Sequence, residues 1–243
     1  MPIQKAKTNY PMSSKIYLIP SVLDETAVQT IPLYVVDAVK DCQVIFAENE
    51  RTARRFLKSI CKEIVIDNYE WFTIHKAENE VLDIFRQKLK DKKNIAIISE
   101  AGCPGIADPG QILVAAAQEM NAGIKPLVGP SSILLALMAS GMNGQQFEFI
   151  GYLPIANAER NKAISEAEAS SQKKNSTKIF IETPYRNNQL LETLLKVCKP
   201  ATRLCIAAEL TSEREYIKTK TIANWKKEKT DFHKKPVIFL LQG

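Results

Sequence analysis

A chain of 243 residues is long enough to bury a sizeable core in one or two domains, and its 45% hydrophobic and 25% charged content is that of an ordinary globular protein. A net charge of +6 admits a polyanionic partner. Five cysteines without a CxxC pair, only two histidines and no apolar run near membrane length argue against a disulfide framework, a zinc ribbon, a histidine-rich metal site, a Ser-His-Asp triad and a transmembrane helix.

Met1–Ser14 reads as a polar tail, with Lys5 and Lys7 unopposed by any acid and no apolar core of the secretory type. A reduced, cytoplasmic setting is the default expectation, with the cysteines as buried thiols. Lys15–Pro20 reads as the first strand, followed by a loop, Ser21–Thr30, that contains no glycine. Ile31–Cys42 is helical in pattern through Leu33, Val36 and Val39. Gln43–Ala47 is a short strand that ends at Glu48-Asn49-Glu50-Arg51, and Arg51–Ile60 is a basic helix. An acid and an arginine at a strand's carboxyl end face the cleft where open α/β sheets bind ligands, or else form a surface ion pair.

Glu63–Asp67 reads as a strand and Glu78–Lys90 as an amphipathic helix with Val81, Leu82, Phe85 and Leu89 inward. The aromatic segment Tyr69–His75 between them reads as a loop. Its rings can stack on bases or pack on the domain, and packing is favoured; His75 reads as structural.

Asn94–Ser132 holds the densest information. The apolar run Ile95–Ile98 has the length of a buried strand, and a turn with Gly102, Pro104, Gly105, Pro109 and Gly110 follows. Ile112, Leu113, Ala116 and Ala117 then recur at helical spacing, and Ile124–Val128 leads into the turn Gly129-Pro130-Ser131-Ser132. This is a strand–loop–helix–strand unit. The turn is not a phosphate loop, because Gln111 stands where GxxxxGK[ST] needs lysine, and the chain has no GxGxxG fingerprint.

Beyond it, Ser131–Ser140 reads as a helix ended by Gly141, Phe147–Pro154 as a strand and Ala156–Lys174 as a solvated helix. Strands are expected at Thr177–Thr183, Thr202–Leu210, Tyr216–Thr219 and Pro236–Leu241, with helices at Asn187–Lys199 and Ile222–Lys229. From Thr211 onward, seven lysines and one arginine face four acids. The alternation is βα throughout, which predicts an α/β fold.

The loop Ser99-Glu100-Ala101-Gly102-Cys103-Pro104-Gly105-Ile106-Ala107-Asp108-Pro109-Gly110 resembles the S-D-A-G-x-P-x-I-x-D-P-G signature of the tetrapyrrole-methylase-like superfamily of S-adenosylmethionine (SAM) methyltransferases. Within it, the chain is most similar to the ribosomal RNA small-subunit methyltransferase I group, which methylates a cytidine ribose 2′-hydroxyl. Gly129-Pro130-Ser131-Ser132 is similar to that group's G-P-S-[AS], and Phe149–Pro154 to its F-x-G-F-L-P. Phe180–Arg186 resembles F-x-E-S-P-H-R, and Ala208–Thr211 resembles R-E-L-T. Glu48 and Arg51 match two positions of E-D-T-R, and Glu78-Asn79-Glu80 the end of S-x-H-E-H-N-E. The chain departs in its glycine-free first loop, where the group has T-P-I-G-N-L, and stops at Gly243, before the group's C-terminal extension.

The resemblance implies two α/β domains of the tetrapyrrole methylase type, with boundaries expected at 15–128 and 129–243 and SAM held in a cleft between them. Carried over residue by residue, it implies cofactor contacts at Pro20, Ala101, Gly102, Cys103, Ile106, Ser131, Ser132, Glu182 and Leu210. Glu48, Arg51, Glu100, Asp108 and Arg186 form the catalytic, substrate-side set, with Glu100 standing for the family's aspartate and Tyr185 for its histidine. No metal is implied. Ribosomal RNA or the small ribosomal subunit is the implied partner, in a homodimer, with neither membrane nor DNA. Methylation of a tetrapyrrole or other small molecule, and a catalytically silent RNA- or protein-binding relative, are the alternatives.

Overall fold

Every residue of two four-residue strands, Val44–Ala47 (β2) and Ile95–Ile98 (β4), is buried, so both must be covered on both faces. The computed structural model, which describes residues 14–74 and 78–243, places them at the centre of a five-stranded parallel sheet. The order is β3-β2-β4-β1-β5, with β1 at Lys15–Ile19, β3 at Glu70–Thr73 and β5 at Gly123–Pro126. Alternation along the strands divides the core. Ile45, Ala47, Ala96 and Ile98 pack with Val35, Val39, Phe56 and Leu57 from helices α1 (Tyr34–Lys40) and α2 (Glu50–Ile60). Val44, Phe46, Ile95 and Ile97 pack with Phe85, Leu89, Leu113 and Ala117 from α3 (Glu78–Lys90) and α4 (Gln111–Glu119). The edge strand β5 exposes Lys125 and Pro126, a position proline tolerates because no ladder bond is lost.

This sheet corrects two sequence expectations. Glu63–Asp67 is not a strand: Val65 is 53% exposed and a 3₁₀ turn covers Ile66–Asn68. The strand lies instead in the aromatic segment, where Trp71 and Phe72 alternate onto opposite faces and Phe72 stacks on Phe46 at 5.0 Å. Bulky aromatic side chains fill a pleated, half-buried surface better than the Glu63–Asp67 stretch does. The helix expected over Ile31–Cys42 shortens to α1, since Pro32 cannot sit inside a helix and instead accepts from the Val35 amide in the first turn. His75 and residues 1–13 of the expected tail Met1–Ser14 lie outside the described residues; Ser14 itself is buried and donates its hydroxyl to the Leu89 carbonyl at 3.0 Å, so it belongs to the first unit rather than to a tail.

A second compact unit contains Leu23–Ala27 and Ser131–Gly243; the first is Met1–Val22 with Val28–Pro130. The second unit's sheet has the order β6-β7-β10-β8-β9, with β6 at Phe147–Tyr152, β7 at Thr177–Ile181, β8 at Arg203–Ala208, β9 at Tyr216–Thr221 and β10 at Val237–Gln242. Here the uniform βα alternation fails. Strands β6 and β7 are parallel, but β10 runs antiparallel to β7 and β8, and β9 antiparallel to β8. The connection from β8 to β9, residues 209–215, is too short for the crossover a parallel pair needs.

One face of this sheet carries α5 (Ser132–Ser140), with Ile133, Ala136 and Leu137 against Ile179, Cys205, Ile238 and Leu240; Leu23 packs into the same layer. The other face carries α6 (Asn157–Lys174), α7 (Asn187–Val197) and the single turn α8 (Ile222–Trp225), around Phe180, Leu204, Phe239 and Trp225. The helix expected over Ile222–Lys229 ends at Trp225, whose buried indole N–H donates to the Leu204 carbonyl at 2.8 Å.

Candidate functional site

In a parallel sheet all strands end on one edge, and there the residues after β1, β2 and β4 meet. Ser21, just past β1, exchanges two backbone hydrogen bonds with Gly102 (2.8 and 3.2 Å) and donates its hydroxyl to the Ser99 carbonyl at 2.8 Å. Gly102 has φ +72°, a conformation a Cβ would strain, so glycine is required where the loop turns back on β1. Pro20 is buried beneath Gly129, where a Cβ would stand 2.1 Å from the proline ring. The turn 103–110 then folds on itself, with the Gly105 amide donating to the Pro109 carbonyl at 3.2 Å and Ala107 held at φ +64°. Ala101 is exposed and Ile106 is 54% exposed; Cys103 is half-buried, its thiol 3.5 Å from the Pro130 carbonyl.

Three carboxylates converge at this edge. Glu48 follows β2, and its side chain accepts from the Glu100 amide at 2.8 Å. Glu100 accepts a long bond, 3.4 Å, from the Thr52 hydroxyl. Burial pushes the Glu48 carboxyl up, against the Glu100 amide, which lowers it. Asp108, in the turn, is pushed up to about 7 by burial first and by the charges of Glu48 and Glu100 second. A cleft of about 480 Å³ opens here, lined by Glu48, Asn49, Arg51, Thr73, Glu100 and Pro109 among others. Arg51 is exposed at its rim, at the start of α2, whose cap Asn49 accepts from the Arg51 and Thr52 amides. Four of the five expected catalytic residues thus share one edge: Glu48, Arg51, Glu100 and Asp108.

The fifth, Arg186, belongs to the second unit. Its guanidinium donates to Glu182 Oε1 at 2.6 and 3.1 Å, and Thr183 adds a backbone donor at 2.6 Å. Glu182 is 5% exposed and its Oε2 is buried without a partner among the described residues. Ser131 caps α5 with extended backbone but makes no side-chain cap bond, and Ser132 begins the helix. Leu210 is buried between Glu209 and Thr211, both non-glycine residues at positive φ, +50° and +70°. Glu209 is ion-paired to Arg214 and Lys235 at 3.2 and 3.1 Å. Tyr185, 69% exposed, stands edge-on to His233 with ring centroids 5.8 Å apart.

Sequence reasoning passed over Thr52, Thr211 and the Glu209–Lys235 pair. An Asn-Glu-Arg helix start could have flagged Asn49 and its neighbour Thr52. Nothing in the sequence announces the Glu209–Lys235 pairing, which follows from the antiparallel register of β8 and β10.

The residues at the expected positions suit SAM. Within the second unit, Glu182 Oε2 and Thr211 Oγ1, buried without a partner among the described residues, offer polar atoms to a ligand, and the α5 start offers backbone N–H groups to a carboxylate; within the first unit, the acidic edge suits a positively charged group.

Two α/β units, the first with glycine-bent loops and an acid-rich edge where its strands end, fit a SAM-dependent methyltransferase. The chain belongs to the tetrapyrrole (corrin/porphyrin) methylase family, whose profile matches residues 27–225. It is 30% identical to the ribosomal RNA small subunit methyltransferase I of Buchnera aphidicola subsp. Schizaphis graminum, covering 94% of this chain and 78% of that one. The Escherichia coli O157:H7 protein of the same name is 28% identical, with the same coverages. That of Micromonospora olivasterospora is 29% identical over 84% of this chain, which spans 61% of the relative's length. Among solved structures the fold resembles the methyltransferase CobJ (TM-score 0.63, 14% identity, 95% and 94% coverage). It also resembles uroporphyrin-III-C-methyltransferase from Thermus thermophilus (TM-score 0.54, 14% identity, 94% and 92% coverage).

Proposed function

We propose that this protein transfers a methyl group from SAM to a ribose 2′-hydroxyl of a cytidine in small-subunit ribosomal RNA, in the cytoplasm where ribosomes assemble. The relatives' shared name supports the substrate, and the acid-rich edge of the first sheet supports the chemistry. The cofactor supplies an electrophilic methyl carbon on a positively charged sulfur. For it we assign Ala101, Gly102, Cys103 and Ile106 of the central loop, with Pro20 shaping that loop from below. Ser131, Ser132, Glu182 and Leu210 complete the set.

The hydroxyl must lose its proton as its oxygen bonds to the methyl carbon and the carbon–sulfur bond breaks. The convergence of Glu48, Glu100 and Asp108 at the cleft edge is the observation that carries the reading. A carboxyl whose pKa stands at about 7 is poised as a general base at neutral pH, which an ordinary surface aspartate is not. Burial first, and the charges of Glu48 and Glu100 second, hold that pKa up, and Arg51 at the cleft rim is placed to bind a phosphate of the same strand. Arg186 acts through Glu182, neutralising it and fixing its orientation.

The test is incubation with methyl-labelled SAM and unmethylated small-subunit RNA, followed by nuclease digestion and mass spectrometry. A labelled 2′-O-methylcytidine is expected. Label on a base, or transfer only to a porphyrinogen, would reject the assignment. We further propose a homodimer. Leu33 (88%) and Val128 (71%) expose apolar surface beside Tyr34, which accepts from the Val128 amide at 2.6 Å. Sedimentation velocity should show twice the chain mass.

A further inference from the structure

The basic excess near the end of the sequence has no part in the reaction proposed above. Residues 226–235 hold Lys226, Lys227, Lys229, Lys234 and Lys235 against two acids, Glu228 and Asp231. Both acids are engaged. Glu228 pairs with Lys220, and Asp231 accepts from Asn188 Nδ2 at 2.7 Å and from the His233 amide at 2.9 Å. Lys235 pairs with Glu209. Lys226, Lys227, Lys229 and Lys234 are exposed and form no ion pair among the described residues.

This segment meets an exposed ring. Tyr185, 69% exposed, stands edge-on to His233, and the Lys234 ammonium lies 5.8 Å from the Tyr185 centroid. The two turns that carry these side chains are stitched together. The Lys234 amide donates to the Pro184 carbonyl at 2.9 Å. Asn187, fully buried, donates to the Phe232 and Lys235 carbonyls at 3.3 and 2.7 Å, and Asn188 Oδ1 accepts from the Phe232 amide at 2.8 Å. Lys234 takes φ +61°, uncommon for a non-glycine residue, so these bonds set the turn rather than its own preference.

An isolated exposed ring is ordinary: Tyr152 on β6 is 60% exposed, with no ring or cation against it among the described residues. Tyr185 differs in combining a fixed backbone, a cation within cation–π reach and a lysine-rich neighbouring segment. An unpaired base stacks on such a ring, and an ammonium on a flexible stem can turn to the adjoining phosphate. Duplex bases are already stacked on one another, so this chemistry selects a single strand.

We propose that Tyr185, flanked by His233 and Lys234, is a platform on the second unit for one unpaired base of the RNA substrate and its phosphate. This rests on the RNA reading above and adds a base contact to it.

The experiment compares Y185F, Y185L, Y185W and K234Q with wild type. Binding of a short fluorescent single-stranded oligoribonucleotide is measured against salt. SAM affinity and thermal unfolding report the fold and should stay at wild-type values. Stacking one base on an aromatic side chain is worth a factor of about 5–150 in affinity, so Y185L should raise Kd within that range. Y185F keeps the ring and should stay within about twofold of wild type. K234Q should flatten the slope of log Kobs against log salt by about 0.7. An unlabelled strand should quench Y185W emission beyond the change seen in wild type. Equal affinity of Y185L and Y185F, with no added quenching in Y185W, would overturn the platform. So would a Y185L protein that binds RNA normally but sediments at a lower mass than wild type, which would make the ring a protein contact. RNA binding that needs the ring, in a protein that transfers no methyl group, would leave the platform standing and remove the proposed reaction. Absence of RNA binding by the wild type would remove both.

Discussion

Asp108 carries the sharpest consequences at the scale of single residues. Its folded pKa, about 7, lies above the ordinary value of 3.8, so between those values the folded state binds more protons than the unfolded one. Stability therefore falls as pH rises through that window. Asp108→Asn should be more stable than wild type at pH 8 than at pH 5, by a margin on the order of 1 kcal/mol once partial solvent exposure is allowed for, read by denaturant titration. The same variant should lose about 10²–10⁴ in kcat/KM and the rise of rate through pH 7, measured as a pH–rate profile. Gly129 makes a separate prediction. A Cβ there meets Pro20 at 2.1 Å, with backbone on both sides to move, so Gly129→Ala should cost about 1–3 kcal/mol by thermal or chemical unfolding.

At the scale of elements, α2 begins at the acid-rich edge of the first sheet, and its start is fixed by one side chain. Asn49 accepts from two amides of the first turn, at 3.0 and 3.3 Å. Asn49→Ala should cost about 1 kcal/mol, and by fraying the turn that carries Arg51 and Thr52 it should raise KM for RNA more than it changes SAM affinity, as titration calorimetry and kinetics would show. Strand β3 teaches a different lesson. The strand was expected at Glu63–Asp67 and a loop in the aromatic segment, yet the sheet selects the aromatic segment because Trp71 and Phe72 fill both faces beside β2. Local alternation cannot arbitrate between two such candidates, because the deciding contacts come from residues distant in sequence.

For the whole molecule, binding linkage offers the broadest check. A ligand that binds the folded protein at a hundred times its Kd adds about 2.7 kcal/mol of stability. In a chain of this size that corresponds to a rise in melting temperature of about 5–10 °C with saturating SAM or S-adenosylhomocysteine, measured by calorimetry. No rise would contradict the family assignment. The net charge of +6 acts at this scale too, as a weak general attraction for a polyanion.

The ordered loop words, the apolar runs of β2 and β4, the glycines of the central turn and the helix periodicities were legible in the sequence, because each reports a local requirement: a buried strand, a positive φ, an apolar stripe. They carried the fold class and the family, and they named the candidate site positions. Tertiary structure alone decided that the aromatic segment, and not Glu63–Asp67, pairs with β2, that β8, β9 and β10 run antiparallel, and that Arg186 pairs with Glu182. It also decided that Asp108 is lifted to about 7, by burial first and then by the charges of Glu48 and Glu100, which stand far from it in sequence or on the other side of a turn. The physical reason is common to all of these: pairing, desolvation and charge coupling depend on distances that exist only once the chain has folded.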